Sequence, residues 1–265
     1  MKIGFLITAR LKSTRLPQKL LLDLNGKSIL ERVIERCKLV SDISEIILCT
    51  STNPQDKPLL DIANKNDILY YLGSEQDVLK RLSDAASFFG LDYIINITGE
   101  NPLFSVYHAN LAVNQAKKER NDFIYIDGLP IGCSVYGIRP EALKTVCEIK
   151  EEIDTEIWGP LINRPEIFNV KKIDANLNNS QLRITTDYLE DYLFIQNIFS
   201  HYTRDHIPDY FEISQLLIEK PELLEINKNR KQAQLDGKVL KRIDDYFNLN
   251  KKKILKVKAK NYNTK

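Results

Sequence analysis

Short apolar runs alternate with stretches of helical period through the first hundred residues, and that rhythm constrains the fold more than any other feature. Residues 2–8, 45–49, 68–72 and 92–98 read as strands. Helical patterns fall between them, from Ser28 through Cys37, near 55–66 after Asn53-Pro54, and over 75–88. Ser28 is placed to cap its helix and Glu31 to complete a capping box, with Ile29, Leu30, Val33 and Ile34 on one face. Strands that alternate with helices in this way predict an α/β domain with a mostly parallel sheet and helices on both faces. Ligands of such sheets bind in the loops beyond the carboxyl ends of the strands. The polar residues at 8–19, 50–52 and 99–101 are therefore the ones to watch.

The second half is less regular. Residues 123–126 and 134–138 read as strands around a turn from Gly128 to Gly132, and 154–164 as partly helical. Residues 168–173 and 181–185 read as further strands, and 187–199 as a helix with Tyr188, Tyr192, Ile195 and Ile198 facing inward. There is no internal repeat and no linker rich in glycine or serine. One domain over 1–248, with an extended insertion near 125–175, is the economical division.

Hydrophobic residues make up 43% of the chain, enough for a sizeable core. The net charge of +2 is unevenly placed: residues 249–265 hold seven lysines and no acid, leaving the rest at −5. The body is thus not a nucleic-acid surface by charge. The basic tail reads as a solvated, disordered end, with a short strand over 254–258 or contact with anionic lipid as alternatives. No apolar segment approaches the ~20 residues of a membrane span, and the short apolar start lacks the cleavage site of a signal peptide. Cys37, Cys49, Cys133 and Cys147 show neither CxxC spacing nor a zinc pattern, which points to free thiols in a reducing cytoplasm. His108, His201 and His206 stand in no metal spacing.

The first strand opens into a loop holding Arg10, Lys12, Arg15 and Lys19, with hydroxyls at Thr8, Ser13 and Thr14. Arginine forks grip phosphate oxygens in pairs and lysine adds point charge, so this loop suits a polyphosphate. It contains neither GxxxxGK[ST] nor GxGxxG, which removes the P-loop and the dinucleotide fingerprint.

The spacing Arg-x-x-Ser-x-Arg-x-Pro-x-Lys resembles the cytidylyltransferases that activate acidic sugars, and most of all the branch of the spore coat polysaccharide synthesis protein F. The likeness continues through Cys49-Thr50-Ser51-Thr52-Asn53-Pro54, through 73–81, and through Ile97-Thr98-Gly99-Glu100-Asn101-Pro102-Leu103. It ends on 182–191, and the ordered blocks span roughly residues 1–225. The resemblance implies a Rossmann-like, glycosyltransferase-A-like nucleotidyltransferase fold, with the 125–175 segment as a dimerisation arm. It implies transfer of CMP from CTP to a sugar acceptor, with Mg2+ as cofactor, in a cytoplasmic homodimer.

By the same likeness, Arg10, Arg15 and Lys19 are the catalytic cations, and Thr8, Ala9 and Ser13 complete the triphosphate loop. Gln18 replaces a glycine common in that slot. Thr50, Ser51 and Thr52 fall where the family reads base or ribose, although simple turn chemistry before Asn53-Pro54 explains them equally well; Gly73 and Ser74 either line the base pocket or merely cap the helix that follows. Glu100 and Asp187 map to the metal positions, Glu100 in place of the usual aspartate. Asp187 also reads as a helix N-cap, and Asp191 as an exposed or supporting acid. Arg81 is spaced to pair with Asp77. Asn96, Thr98, Asn101, Asp127 and Arg183 are the acceptor candidates, with Arg183 equally suited to pairing a structural acid. Trp158 replaces part of a histidine-containing pattern and reads as a core or interface residue more than a sugar platform. A phosphorylated polyol or phosphonate acceptor, or a non-catalytic nucleotide binder, are the rival readings.

Overall fold

β1 (Ile3–Thr8) is buried at every position because it has neighbours on both sides. It pairs in parallel with β2 (Glu45–Ser51) and with β4 (Tyr93–Thr98), and β3 (Leu69–Gly73) adds to β2 as the edge. The computed structural model describes residues 1–152, 154–177, 179–180 and 182–263. Among them the sheet has seven strands in the order β3-β2-β1-β4-β6-β5-β7. Here β5 is Phe123–Asp127, β6 is Tyr136–Ile138 and β7 is Val170–Asp174. β6 runs antiparallel to both β4 and β5, and the other pairings are parallel. The chain leaves β1 toward β2 on one side and later returns to β4 on the other. A crevice therefore opens at the carboxyl ends of β1 and β4, the place where open α/β sheets take ligands.

Two apolar layers cover the sheet. One face is packed by α1 (Ile29–Lys38), α2 (Lys57–Lys65), α4 (Val106–Lys118), α7 (Leu189–Ser200) and α8 (Tyr210–Glu219). The other is packed by α3 (Val78–Phe88), α5 (Pro140–Ile149), α6 (Gly159–Ile162) and α9 (Gly237–Asn263). Ser28 and Glu31 form the reciprocal capping box anticipated for α1.

Segment 125–175 supplies β6, α5, α6 and β7 and so belongs to the sheet and one covering layer. Two expectations are corrected. The expected strand over 181–185 is only a single bridge from Ile131 to Arg183, and Gln181 lies outside the described residues. The turn beside it is as tight as expected. Gly132 has φ +94°, and a Cβ there would lie 2.4 Å from the Ile184 carbonyl oxygen.

The basic tail is neither disordered nor a strand. Up to Asn263 it is the second half of α9, packed along α5. Ile243, Phe247 and Ile254 bury one side of that helix, and the Lys258 ammonium reaches Asp122 at 2.8 Å. Lys251, Lys252, Lys253 and Lys256 occupy the exposed side. The tail reads as polar because its apolar positions are few, yet they fall on one helical face.

Candidate functional site

The loop after β1 is stapled from beneath. Asp56, buried at the start of the segment leading into α2, accepts the backbone N–H of Leu11 at 2.7 Å. It also accepts the hydroxyls of Thr50 at 3.2 Å and Ser51 at 2.5 Å. Thr50 and Ser51 are thus sealed beneath the loop, and their hydroxyls position it instead of facing a base or ribose. Asp56 was missed at the sequence level, where its place six residues after Thr50 carries no signal of its own. Thr8 and Ala9 are buried at the end of β1, with Ala9 N–H donating to the Cys49 carbonyl at 3.2 Å. The Ser13 hydroxyl accepts the Leu16 N–H at 3.3 Å and holds the turn. Gln18, in the slot where relatives often carry glycine, has φ 53° and ψ 24°. It takes the left-handed conformation that glycine enters freely.

Arg15 and Lys19 emerge from this loop onto Asp187. Lys19 Nζ donates to Asp187 Oδ1 at 2.8 Å, and Arg15 Nη2 donates to the same oxygen at 2.9 Å. Arg183 Nη2 takes the other oxygen, Oδ2, at 2.7 Å. Burial alone would raise the Asp187 pKa, but Lys19, Arg15 and Arg183 outweigh it and hold the carboxyl below its ordinary value. For Arg15, burial works against the charged form, and the facing Asp187 overcomes it to leave the guanidinium above its ordinary value. Asp187 is not the helix cap. Asp191 Oδ2 accepts the N–H groups of Asp187 and Tyr188 at 3.0 Å each, so Asp191 caps α7. Asp191 is fully buried rather than exposed, and it grips Arg183 Nε at 2.9 Å.

Glu100 completes the acidic side. Its Oε2 lies 4.0 Å from the same Lys19 Nζ that Asp187 holds. Two carboxylates facing one ammonium form a donor set that suits Mg2+, which takes one or two carboxylates and completes its shell with phosphate oxygens and water. Among the described residues no three His, Cys, Asp or Glu converge as a self-sufficient metal cage.

On the β3 side, Arg10 donates to the Glu75 carbonyl, and its Nη2 lies 3.8 Å from Glu156. Arg81 does not pair with Asp77. It is buried and donates to the carbonyls of Ser74 and Glu75, while Asp77 takes Lys150 at 2.5 Å and the Thr155 hydroxyl at 3.0 Å. Burial first, then repulsion from Arg10, pulls the Arg81 guanidinium down to about 10. Gly73 ends β3 against this arginine: a Cβ there would lie 2.9 Å from Arg81 Cγ. Gly73 and Ser74 therefore belong to a braced loop, with the Ser74 hydroxyl accepting the Asp77 N–H at 3.1 Å.

Three of the acceptor candidates are committed elsewhere. Asn96 is fully buried and donates to the Leu6 carbonyl at 2.9 Å, so it is part of the sheet. Asn101 donates to the Thr98 hydroxyl at 2.7 Å and locks the turn that carries Glu100. Arg183 is spent on Asp187 and Asp191 and reaches Gln232 at 2.5 Å, so it braces the acids instead of facing a substrate. Only Thr98 stays partly open at the mouth of the crevice. Asp127 lies on the far strand and pairs with Lys172 at 3.0 Å. Trp158 is a core residue packed against Phe123 and Tyr136.

The cationic loop, the paired acids and the crevice together suit a nucleoside triphosphate, and comparison with known proteins agrees. Residues 5–243 match the family described as cytidylyltransferase. An uncharacterized protein of Methanocaldococcus jannaschii is 30% identical, over 88% of this chain and 97% of its own. The spore coat polysaccharide biosynthesis protein of Bacillus subtilis is 25% identical, over 74% and 86%. Among solved structures, a cytidylyltransferase of Leptospira borgpetersenii superposes with a TM-score of 0.79 at 24% identity, over 88% of this chain and 100% of that one. A CMP:2-keto-3-deoxy-manno-octonic acid synthetase complexed with CTP superposes at 0.62 and 14% identity, over 76% and 99%. These two likenesses establish the Rossmann-like nucleotidyltransferase fold, and with the family match the chain belongs to the cytidylyltransferases, a family of nucleotidyltransferase enzymes.

Proposed function

We propose that this protein transfers CMP from CTP to a hydroxyl of an acidic sugar, an octulosonic or nonulosonic acid, with release of pyrophosphate for glycan synthesis. The observation that carries the reading is the convergence of Arg15 and Lys19 with Asp187 and Glu100 at the mouth of the β1/β4 crevice. The names of the spore coat protein and of the octonic acid synthetase support the choice of product class.

In the reaction the acceptor oxygen forms a bond to the α-phosphorus, and the bond from that phosphorus to the β-bridging oxygen breaks. The acceptor proton passes to solvent, and charge accumulates on the departing pyrophosphate. Arg10, Arg15 and Lys19 supply fixed positive charge where it accumulates. Asp187 holds Arg15 and Lys19 in place before substrate arrives. Arg183, itself gripped by Asp191, keeps Asp187 oriented and ionised. Glu100 and Asp187 are the residues that would hold Mg2+, which when bound neutralises phosphate charge.

The test is pyrophosphate release with Mg2+, crossing CTP, UTP, ATP and GTP against acidic sugars and phosphorylated polyols. Turnover with CTP and an acidic sugar is expected. Turnover only with a phosphorylated polyol, or only with another nucleotide, would overturn the assignment.

A further inference from the structure

We propose that Tyr136, backed by Trp158, forms the floor of the acceptor subsite and selects a carbohydrate ring over an open-chain phosphate. The inference rests on the cytidylyltransferase reading and adds to it a residue and a ligand shape.

Register places the ring. In the antiparallel pairing of β4 with β6, Tyr136 stands directly opposite Asn96. Residues opposite one another share a face of the sheet, as do residues two apart on one strand. Tyr136 is therefore on the same face as Asn96 and Thr98, about 7 Å back along the strand from Thr98. Thr98 pairs with Thr8 at the end of β1, and Glu100 follows two residues later. The tyrosine thus lies on the crevice end of the sheet, on the β4 side of the phosphate loop.

Packing holds the ring still while leaving it open. Its centroid is 5.1 Å from that of Trp158, edge-on, and 5.7 Å from that of Phe123, stacked. Trp158 is only 6% exposed, whereas Tyr136 is 37% exposed.

The loop that carries Trp158 is tied to the nucleotide side. The Thr155 N–H donates to the Gln76 carbonyl at 3.3 Å, and Glu156 faces Arg10 at 3.8 Å. The loop that backs the aromatic floor is therefore fastened to the loop that carries Arg10. An aromatic face offers dispersion and quadrupole attraction to the C–H face of a sugar ring, and the phenol adds a hydrogen bond. The side chains packed against the Tyr136 ring, Trp158 and Phe123, are themselves aromatic.

Trp158 is the single tryptophan of the chain, so its emission reports on this floor alone. The full chain, loaded with a non-hydrolysable CTP analogue, is titrated with an octulosonic acid, a nonulosonic acid, a neutral hexose and ribitol 5-phosphate. A saturable change in Trp158 emission is expected with at least one ring compound and none with ribitol 5-phosphate. In pyrophosphate release, Tyr136→Ala should raise the KM for that ring compound roughly tenfold and leave the KM for CTP unchanged. Tyr136→Phe, which keeps the ring, should recover most of the loss. The proposal is overturned by an unchanged acceptor KM in Tyr136→Ala, by a response to ribitol 5-phosphate alone, or by no response in protein that binds the analogue. Failure to bind the analogue would remove the underlying cytidylyltransferase reading, and this proposal with it.

Discussion

The two halves of the crevice are built by different physics. On the β1 side, charged groups drawn from distant parts of the chain are locked to one another, with Lys19 and Arg15 both on one oxygen of Asp187. On the β6 side, the Tyr136 ring packs against neighbouring rings and still reaches water. The first half is locked by its own ion pairs, as the proposed task of neutralising a polyphosphate requires. The second is a packed surface on which a change of one ring alters what fits. In the proposed reading one side serves the reaction and the other the acceptor.

Substitutions should separate the halves. Asp187→Ala strips the buried Lys19 and Arg183 of their shared partner, which costs about 3–5 kcal/mol for a buried pair. The partly exposed Arg15 adds little because water screens it. Urea unfolding checks this, and a loss below about 1 kcal/mol would break the picture of a preorganised half. Lys19→Met should lower turnover by about 10²–10³-fold, the cost of removing one fixed charge-stabilising group, with the fold intact by circular dichroism. A variant with near-normal kcat would place Lys19 outside the chemistry.

Asp56→Ala leaves the Leu11 N–H and two buried hydroxyls without their acceptor, a cost of about 1–3 kcal/mol. Its effect on activity should appear mainly as a raised KM for CTP. The acid limb of stability offers a subtler check. The folded pKa of Asp187 is depressed below its ordinary 3.8, so its contribution is fully present above that value. That contribution is lost as pH falls through the lower folded value, and Asp187→Asn should flatten this limb of the stability curve. Smallest is Gln18→Gly: relief of the left-handed φ of 53° opposes the added freedom of the unfolded chain. The net change should stay within about 1 kcal/mol, and a large loss would mean that the Gln18 side chain does more than fill its slot.

The same contrast explains what the sequence revealed. The first four strands and α1 were legible because each depends on its own residues, as the Ser28–Glu31 capping box shows. Lys19, Arg15 and Asp187 could be singled out by residue type alone, as the groups that would suit a polyphosphate. Their mutual pairing could not, since it joins residues more than 160 positions apart. Arg183 illustrates the limit: an arginine near a site suits a substrate carboxylate as well as Asp191, and only the folded chain decides between them. Asn96 was misjudged because strand residues alternate between faces, and a polar residue in a strand can be spent on a backbone carbonyl. The helices α4, α5 and α8 went unread, and α9 was read as a tail, because sparse apolar positions show their period only once a covering layer is known.

The most direct measurement is calorimetric titration of CTP into the wild-type chain and into the Arg15→Ala/Lys19→Ala double variant, with Mg2+ present and the fold of each checked by circular dichroism. Binding to the wild type and its loss in the folded double variant is the predicted result. Equal affinity in the two proteins would contradict the assignment of this loop to the triphosphate.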